Sequence, residues 1–405
     1  MPHYVLDLSR LISSSARPAP TGIDRVELAY AVELLKRRPQ EVTFAAMTPW
    51  RRFGLVAHKR AERFIVALAA QWYAGASQLS PARLADRICN QIWLRGEAPL
   101  HRRLRRQAGP VIYINVSHHH LDRPASILRL KRRSNALFVP IVQDLIPIEF
   151  PEYVRPNQDA IHARRIATVT GLADAILVTT QATADILAPR LAASGRTPPV
   201  VVAPLGWDIP ALSEPPELRV PEPYFVCIGT IEARKNHLLL LQLWRKMAAE
   251  LGDKAPHLVI VGRRGWENEN VVDMLERCPS IRGKVHEFSR VTDSEVRAFI
   301  EGARALLMPS FSEGFGLPII EALALGVPVL CSDIPPFVEI GGGVPECFDP
   351  LDGPSWHAAL VDYAMPNSAR RAAQIVRLKG WAAPNWPEHF ASVFALLNSL
   401  PARIS

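Results

Sequence analysis

The chain has 405 residues, 48% of them hydrophobic and 21% charged, a balance that fits a folded globular protein and excludes a disordered or fibrous one. A single core stops growing near roughly 250–300 residues, so two domains are expected. The formal charge of +8 comes without any nucleic-acid-binding motif, which excludes a nucleic-acid partner at this level.

The five cysteines, Cys89, Cys227, Cys278, Cys331 and Cys347, are scattered with no C-x-x-C pair, which points to reduced thiols and a cytosolic setting. The opening MPHYVLDLSRLISSS lacks the basic and then apolar stretches of a signal peptide. No apolar run approaches the roughly 20 residues that cross a bilayer. The expected location is the cytoplasm, with peripheral attachment to the inner face of the membrane as an open alternative.

Along the chain, short apolar β-rich runs alternate with helical patterns, the signature of parallel sheets with helical crossovers. The first half predicts strands at Tyr4–Leu8, Val42–Met47, Val111–Asn115, Leu137–Val142, Ala175–Thr179 and Pro199–Ala203. The second half predicts Tyr224–Gly229, His257–Gly262, Val285–Phe288, Ala305–Met308 and Val327–Cys331. Between them Ile209–Pro223, IPALSEPPELRVPEP, is too proline-rich for a regular element and reads as a linker. The expected fold class is α/β, two doubly wound Rossmann-like domains facing across a cleft. Residues 1–208 form the first, 209–223 the linker, 224–380 the second, and 381–405 a tail that is helical after Pro387. Doubly wound sheets bind ligands at the C-terminal ends of their strands.

The residues that carry chemistry follow in chain order. After the first strand, SRLISSSARPAPTG leads into a helix opening at Ile23-Asp24-Arg25-Val26, whose N-terminal dipole would aim at an anion. Residues 51–106 are rich in arginine and include Trp72, Tyr73 and Trp93. This basic, partly amphipathic insert reads equally as a surface for an anionic membrane or lipid diphosphate and as a solvated face of ordinary helices. Ser117-His118-His119-His120 closes a strand; neighbours on an extended segment point opposite ways, so only some of these rings share a side. No matching acid or Cys/His cluster argues for a metal there. VPIVQDLIPIEFPEY (Val139–Tyr153) brings Gln143 and Asp144 to the end of another strand.

In the second half, PYFVCIGTIEARKNHLLLLQLW runs a strand into Gly229-Thr230 and delivers Arg234 and Lys235 just before a helix. A planar guanidinium fork beside a compact ammonium can clamp a diphosphate, although such a pair is often only a solvated surface feature. VGRRGWENENV places Gly262 and Arg263 after the next strand, and Val291-Thr292-Asp293 leads into a helix with Thr292 or Asp293 as an N-cap. The richest stretch is Pro309–Pro328, PSFSEGFGLPIIEALALGVP. Gly314 and Gly316 let backbone approach a ligand, Pro318 suits the first helical position, and Glu313 and Glu321 flank the turn. The helix that follows points its free N–H groups at that turn, as an anion site requires. The alternative is that Glu321 only favours a helix start and the glycines only make a turn.

Glu313-x7-Glu321 within SEGFGLPIIEAL, with PS before it and GVPVLCSD after it, resembles the donor-site signature of the family 4 GT-B glycosyltransferases, also described as glycosyl transferases group 1. The resemblance implies a retaining, metal-independent hexosyltransferase that uses a nucleoside diphosphate sugar. It needs no cofactor, and GDP-sugar stands ahead of UDP-sugar. It implies catalytic roles for Arg234, Lys235 and Glu313, the two cations neutralising the leaving diphosphate and Glu313 binding sugar hydroxyls. It implies donor contacts at Gly22, Gly229, Gly262, Arg263, Val291, Gly314, Phe315, Gly316, Leu317 and Glu321, the last on the ribose. His118, His119, Gln143 and Asp144 become acceptor-side candidates, and the tail is expected to cross back onto the first domain. The family stretch usually written V-H-D-L-I-P has Gln143 at its histidine; glutamine exchanges hydrogen bonds but takes no proton near neutral pH.

The expected partners are a nucleotide-sugar, a glycan or lipid-linked glycan acceptor of a mannose-like or deoxyhexose polymer, and an anionic membrane surface. Two other classes stay open. One is a nucleotide-sugar-binding protein of the same fold without transfer; the other is a glycoside hydrolase, which needs two carboxylates but no Arg-Lys clamp.

Overall fold

The computed structural model describes residues 2–48, 50–73, 77–207 and 220–401. Most of the segment expected as linker, residues 209–219, lies outside them. The chain divides into two compact units. The first comprises Met1–Ile148, Asn157–Leu205 and the chain from Pro387; the second comprises Glu149–Pro156 and Gly206–Trp386.

The first unit is built on seven strands: β1 (His3–Asp7), β2 (Val42–Met47), β3 (Phe53–Val56), β4 (Val111–Asn115), β5 (Leu137–Val142), β6 (Ile176–Val178) and β7 (Val200–Val202). Their order is β3-β2-β1-β4-β5-β6-β7. All neighbours run parallel except β3, which is antiparallel to β2 with Phe44 opposite Val56 and Met47 opposite Phe53. Every residue of β1, β4 and β5 is buried, as expected for strands covered by helices on both faces. β3 was not among the predicted strands. It is four residues long and contains Gly54, where a Cβ would stand 2.9 Å from the Cβ of Ile92 in the helix Pro81–Arg95; close packing, invisible in a short run, selects it.

The first unit is completed by the last helix, Trp386–Ser399. Phe390 lies edge-on to Tyr30 at 4.9 Å, and Tyr30 meets His389 Nε2 at 2.8 Å. Burial holds His389 at about 4, so the ring is neutral at pH 7. Its Nδ1 faces the Pro204 carbonyl at 3.0 Å, which only accepts, so Nδ1–H donates there and the Tyr30 hydroxyl donates to Nε2.

The second unit contains β8 (Tyr224–Ile228), β9 (His257–Val261), β10 (Val285–Phe288), β11 (Leu306–Met308), β12 (Val329–Ser332) and β13 (Glu346–Phe348). The order is β10-β9-β8-β11-β12-β13, all parallel. β13, which was not among the predicted strands, is a half-buried edge strand that opens on Glu346 and carries no apolar run in sequence. Trp244 and Trp356 are fully buried on one face of the sheet with Phe225, Leu258 and Leu330. Phe299, Ile319 and Phe337 pack the other with Val226, Val259 and Val329. In both units the strand order reverses next to the first strand, between β1 and β4 and between β8 and β11. Loops at such reversals splay apart and leave a crevice for ligands. Among the described residues no helix is long and apolar enough to cross a membrane.

Candidate active site

In the second unit the reversal joins the loops after β8, β9 and β11. A Cβ on Gly262 would stand 1.8 Å from the Gly229 carbonyl oxygen, so only glycine lets these two loops touch. Ile231 N–H donates to Arg263 O at 2.9 Å and Gly265 N–H to Ile231 O at 2.8 Å, extending the pairing beyond the sheet. The chain then makes a 3-10 turn at Ala233–Lys235, takes a left-handed residue at Asn236 (φ 55°), and enters the helix His237–Leu251. Asn236 Nδ2 holds this corner by donating to Pro350 O at 2.9 Å. Phe311 N–H donates to Arg234 O at 2.9 Å and fixes the third loop to the first.

That corner brings the charges together. Arg234 meets Glu313 Oε2 at 2.7 Å and Glu232 Oε1 at 2.7 Å. Lys235 donates to Glu313 Oε1, which also accepts from Ser310 Oγ at 2.9 Å. Burial alone would raise the Glu313 carboxyl, but Arg234 and Lys235 outweigh it and hold the group at about 2. The carboxylate therefore stays ionised through the physiological range. Gly229 (φ 147°) lies under Lys235: a Cβ there would be 3.3 Å from Lys235 Cε. Glu232, which balances Arg234, was not singled out in the sequence; its only signal is an acid two residues before the cation in GTIEARKN.

The helix Leu317–Ala324 starts at Gly316 (φ 121°), has Pro318 in its first turn, and carries no side-chain cap and no first-turn acid. Its N-terminal dipole is thus open to an anion. A Cβ on Gly316 would lie 2.8 Å from Ile340 Cδ1 and 2.9 Å from Phe337 Cε1, so this glycine also serves packing against the next helix, Pro335–Gly341. Gly314 precedes the turn, Phe315 is buried, and Glu321 is half-buried one turn into the helix. Arg263 is exposed, while its neighbour Arg264 is tied to Glu287 and Glu276. Val291 packs against the core. Thr292 caps the helix Asp293–Glu301 in a reciprocal capping box with Glu295.

The segment Glu149–Pro156 belongs to this unit. Tyr153 stacks on Phe311 (centroids 5.4 Å apart, planes 7° apart), and the Arg155 guanidinium sits 5.0 Å from the Trp266 ring. Tyr153 therefore lies against the residue that follows Ser310 and precedes Ser312, whose carbonyl accepts from Arg234. Nothing local in the sequence signals these pairings.

In the first unit, Gly22 is exposed at the start of the helix Gly22–Arg37, behind a capping box between Thr21 and Asp24. Arg10 meets Asp24 at 2.7 Å. Gln143 Nε2 donates to Val116 O at 2.9 Å, its backbone N–H lies 3.4 Å from His118 Nε2, and Asp144 Oδ1 accepts from Ile146 N–H at 3.2 Å. His118 is buried edge-on to His162 at 4.8 Å, and burial pushes it well below the usual histidine range. His119 is half-buried, meets His120 at 4.2 Å, and is lowered by burial to about 4. Close by, Asp7 accepts from Tyr113 at 3.1 Å and from Ser9 N–H at 2.9 Å. Burial, reinforced by Asp7, raises the Glu27 carboxyl to about 8. This buried acid pair was not found in the sequence, where each acid reads as part of an ordinary strand or helix. Among the described residues no group of three or more His, Cys, Asp or Glu side chains is arranged to hold a metal ion.

Residues 208–342 match the family described as glycosyl transferases group 1. O-antigen chain mannosyltransferase B of Escherichia coli is 35% identical over 150 residues, 37% of this chain and 39% of that protein. O-antigen chain mannosyltransferase RfbU of Salmonella typhimurium is 31% identical over 142 residues, 34% of this chain and 38% of that protein. The matched stretch thus spans less than half the length of either relative. Among solved structures, HepE of Anabaena, in complex with UDP, superposes over 99% of this chain and 100% of its own with a TM-score of 0.62 at 14% identity. Sucrose-phosphate synthase of Thermosynechococcus elongatus gives 0.62 over 99% of each chain at 13% identity. The chain has the GT-B fold, and its residues 208–342 match the glycosyl transferases group 1 family.

Proposed function

We propose that the chain is a retaining glycosyltransferase that moves a hexose from a nucleoside diphosphate sugar to a growing glycan or lipid-linked glycan. The observation that carries this reading is the Arg234–Lys235–Glu313 cluster beside the uncapped start of the helix Leu317–Ala324. In the proposed step the bond from the anomeric carbon to the donor phosphate breaks, and a bond to the acceptor hydroxyl oxygen forms on the same face. The acceptor proton passes to the departing phosphate oxygen. Lys235, with three N–H donors, and Arg234 stabilise the charge that builds on the diphosphate, and the helix end adds its dipole; preorganised groups of this kind supply much of a transferase's rate. Glu313 keeps both cations in place and offers its oxygens to sugar hydroxyls, while Glu321 takes the ribose. Backbone from Gly314 to Leu317 holds sugar and phosphate, with Gly229, Gly262, Arg263 and Val291 toward the nucleotide and Gly22 toward the β-phosphate. His118, His119, Gln143 and Asp144 stand on the acceptor side. The cations are these side chains, so the reaction is proposed to proceed without a metal.

The names of the O-antigen relatives favour a mannose-like sugar, and with it GDP ahead of UDP. A hydrolase is disfavoured because it needs two carboxylates but no Arg-Lys clamp, whereas Arg234 and Lys235 both meet Glu313. An anionic membrane surface is proposed for the first unit. Residues 51–106 hold twelve Arg or Lys against three acids, a local +9 that accounts for the whole positive balance. Trp50 and Trp93 stack there at 6.0 Å while half-exposed, next to Leu94 at 75% exposure; aromatic rings and arginines together suit a lipid interface.

The test is binding of GDP, UDP, ADP, dTDP and CDP to the protein and to Glu321→Ala. Selective binding that the variant loses supports the donor site, and unchanged affinity in the variant sinks the assignment. Selective binding with no turnover on any acceptor would leave the nucleotide-sugar-binding reading.

A further inference from the structure

Cys331 and Cys347 lie sixteen positions apart in the chain and were read from sequence only as scattered, reduced thiols. The sheet brings them together. Cys331 on β12 is directly opposite Cys347 on β13, and their sulfurs are 3.6 Å apart with both residues unbridged. Neighbouring strands lie about 4.7–4.9 Å apart, inside the roughly 4.4–6.8 Å between Cα atoms that a disulfide spans. Side-chain rotation alone can therefore close the remaining gap. Cys331 is fully buried and Cys347 half-buried, so a reagent reaches Cys347 first. Its hydrogen bond with Cys331 lowers the Cys347 thiol, whereas the same contact and burial raise Cys331, which makes Cys347 the attacking thiolate.

We propose that Cys331 and Cys347 are a modification site at which a small-molecule disulfide of the glutathione class installs a reversible cross-strand disulfide. The Cys347 thiolate attacks one sulfur of the oxidant, forming a mixed disulfide and releasing one small thiolate. Cys331 then attacks the Cys347 sulfur and expels the second. Two protein thiols lose two electrons, the oxidant disulfide becomes two thiols, and the two cysteine protons end on them. The new bond closes a loop that contains the helix Pro335–Gly341, whose Phe337 and Ile340 fill the space beside Gly316. The oxidised form thus ties down the segment that supports the start of the helix Leu317–Ala324.

The experiment exposes the protein to excess oxidised glutathione, blocks remaining thiols by alkylation, and cleaves after glutamate, which separates the two cysteines at Glu339 and Glu346. Mass spectrometry should find the Cys331 and Cys347 peptides joined, and a reductant should part them. The unfolding midpoint should rise on oxidation, because closing a loop restricts the unfolded chain. Cys347→Ser, at the half-buried position, should lose both effects and leave Cys331 unmodified. Exposed Cys89 serves as an internal control, since it should stop at the glutathione adduct. A Cys347 that also stops at that adduct, or a Cys331 that stays free while Cys89 reacts, overturns the proposal. So does a midpoint rise that persists in Cys347→Ser.

Discussion

Replacing Glu313 by glutamine removes one negative charge from between Arg234 and Lys235 while keeping the shape. The folded carboxyl sits at about 2 against an ordinary value of 4.5, so its ionised form stabilises the fold. At about 1.4 kcal/mol per pH unit that difference amounts to about 3 kcal/mol. The group is an acid whose folded value is depressed, so this contribution is fully present above about pH 5.5 and is lost as pH falls from about 4.5 towards 2. Glu313→Gln should therefore be less stable than the parent by about 3 kcal/mol at pH 7, and the gap should shrink by about 2 kcal/mol at pH 3. Urea unfolding followed by tryptophan fluorescence measures it, since six of the nine tryptophans lie beyond residue 206. A gap that is absent at pH 7, or that stays constant down to pH 3, would refute the claim that the two cations hold this carboxylate.

Three further outcomes follow from the same geometry. Gly229→Ala places a methyl 3.3 Å from Lys235 Cε at a φ of 147°. It should destabilise the fold by about 1 kcal/mol or more and weaken nucleoside diphosphate binding several-fold; calorimetry showing unaltered affinity would count against the clamp. Gly316→Ala meets Ile340 and Phe337 below 3.0 Å at a φ of 121°, and should lower stability by about 2 kcal/mol, read as a lower urea midpoint. Glu27, raised to about 8, keeps a proton in the fold that the unfolded chain releases, so stability should fall by up to about 1.4 kcal/mol per pH unit between pH 5 and 8. Glu27→Gln should flatten that decline and be the more stable protein at pH 8.5.

The parallel sheets were legible because buried strands such as VIYIN and FVPIV are apolar throughout and are spaced by helical patterns. The elements that escaped, β3 and β13, have an apolar run broken by Gly54 or opened by Glu346 and owe their place to tertiary packing. In the site, Arg234, Lys235 and Glu313 were legible because glycine, proline and charge recur at fixed offsets around two loops. What they do to one another was not: 78 residues separate Lys235 from the carboxylate it meets. The same holds for Tyr153 on Phe311, for the Asp7–Glu27 neighbourhood and for the two opposed thiols, all pairings between distant segments that a local pattern does not encode. The histidine run was legible only as neighbours that point opposite ways; that His118 packs against His162 and Gln143 while His119 meets His120 again depends on distant or tertiary contacts.

The order of the two units along the chain has a consequence for biosynthesis. A ribosome delivers β1–β7 first, but Tyr30 and Tyr4 wait for His389, Phe390 and Phe394, which arrive only after the whole second unit has been made. Residues 149–156 emerge early and belong to a unit whose first strand is synthesised some seventy residues later. The first unit therefore cannot reach its finished packing until the second has been synthesised. A nascent chain halted anywhere before residue 390 should expose the Tyr30 surface, and such chains, unlike released protein, should be the ones that chaperones hold.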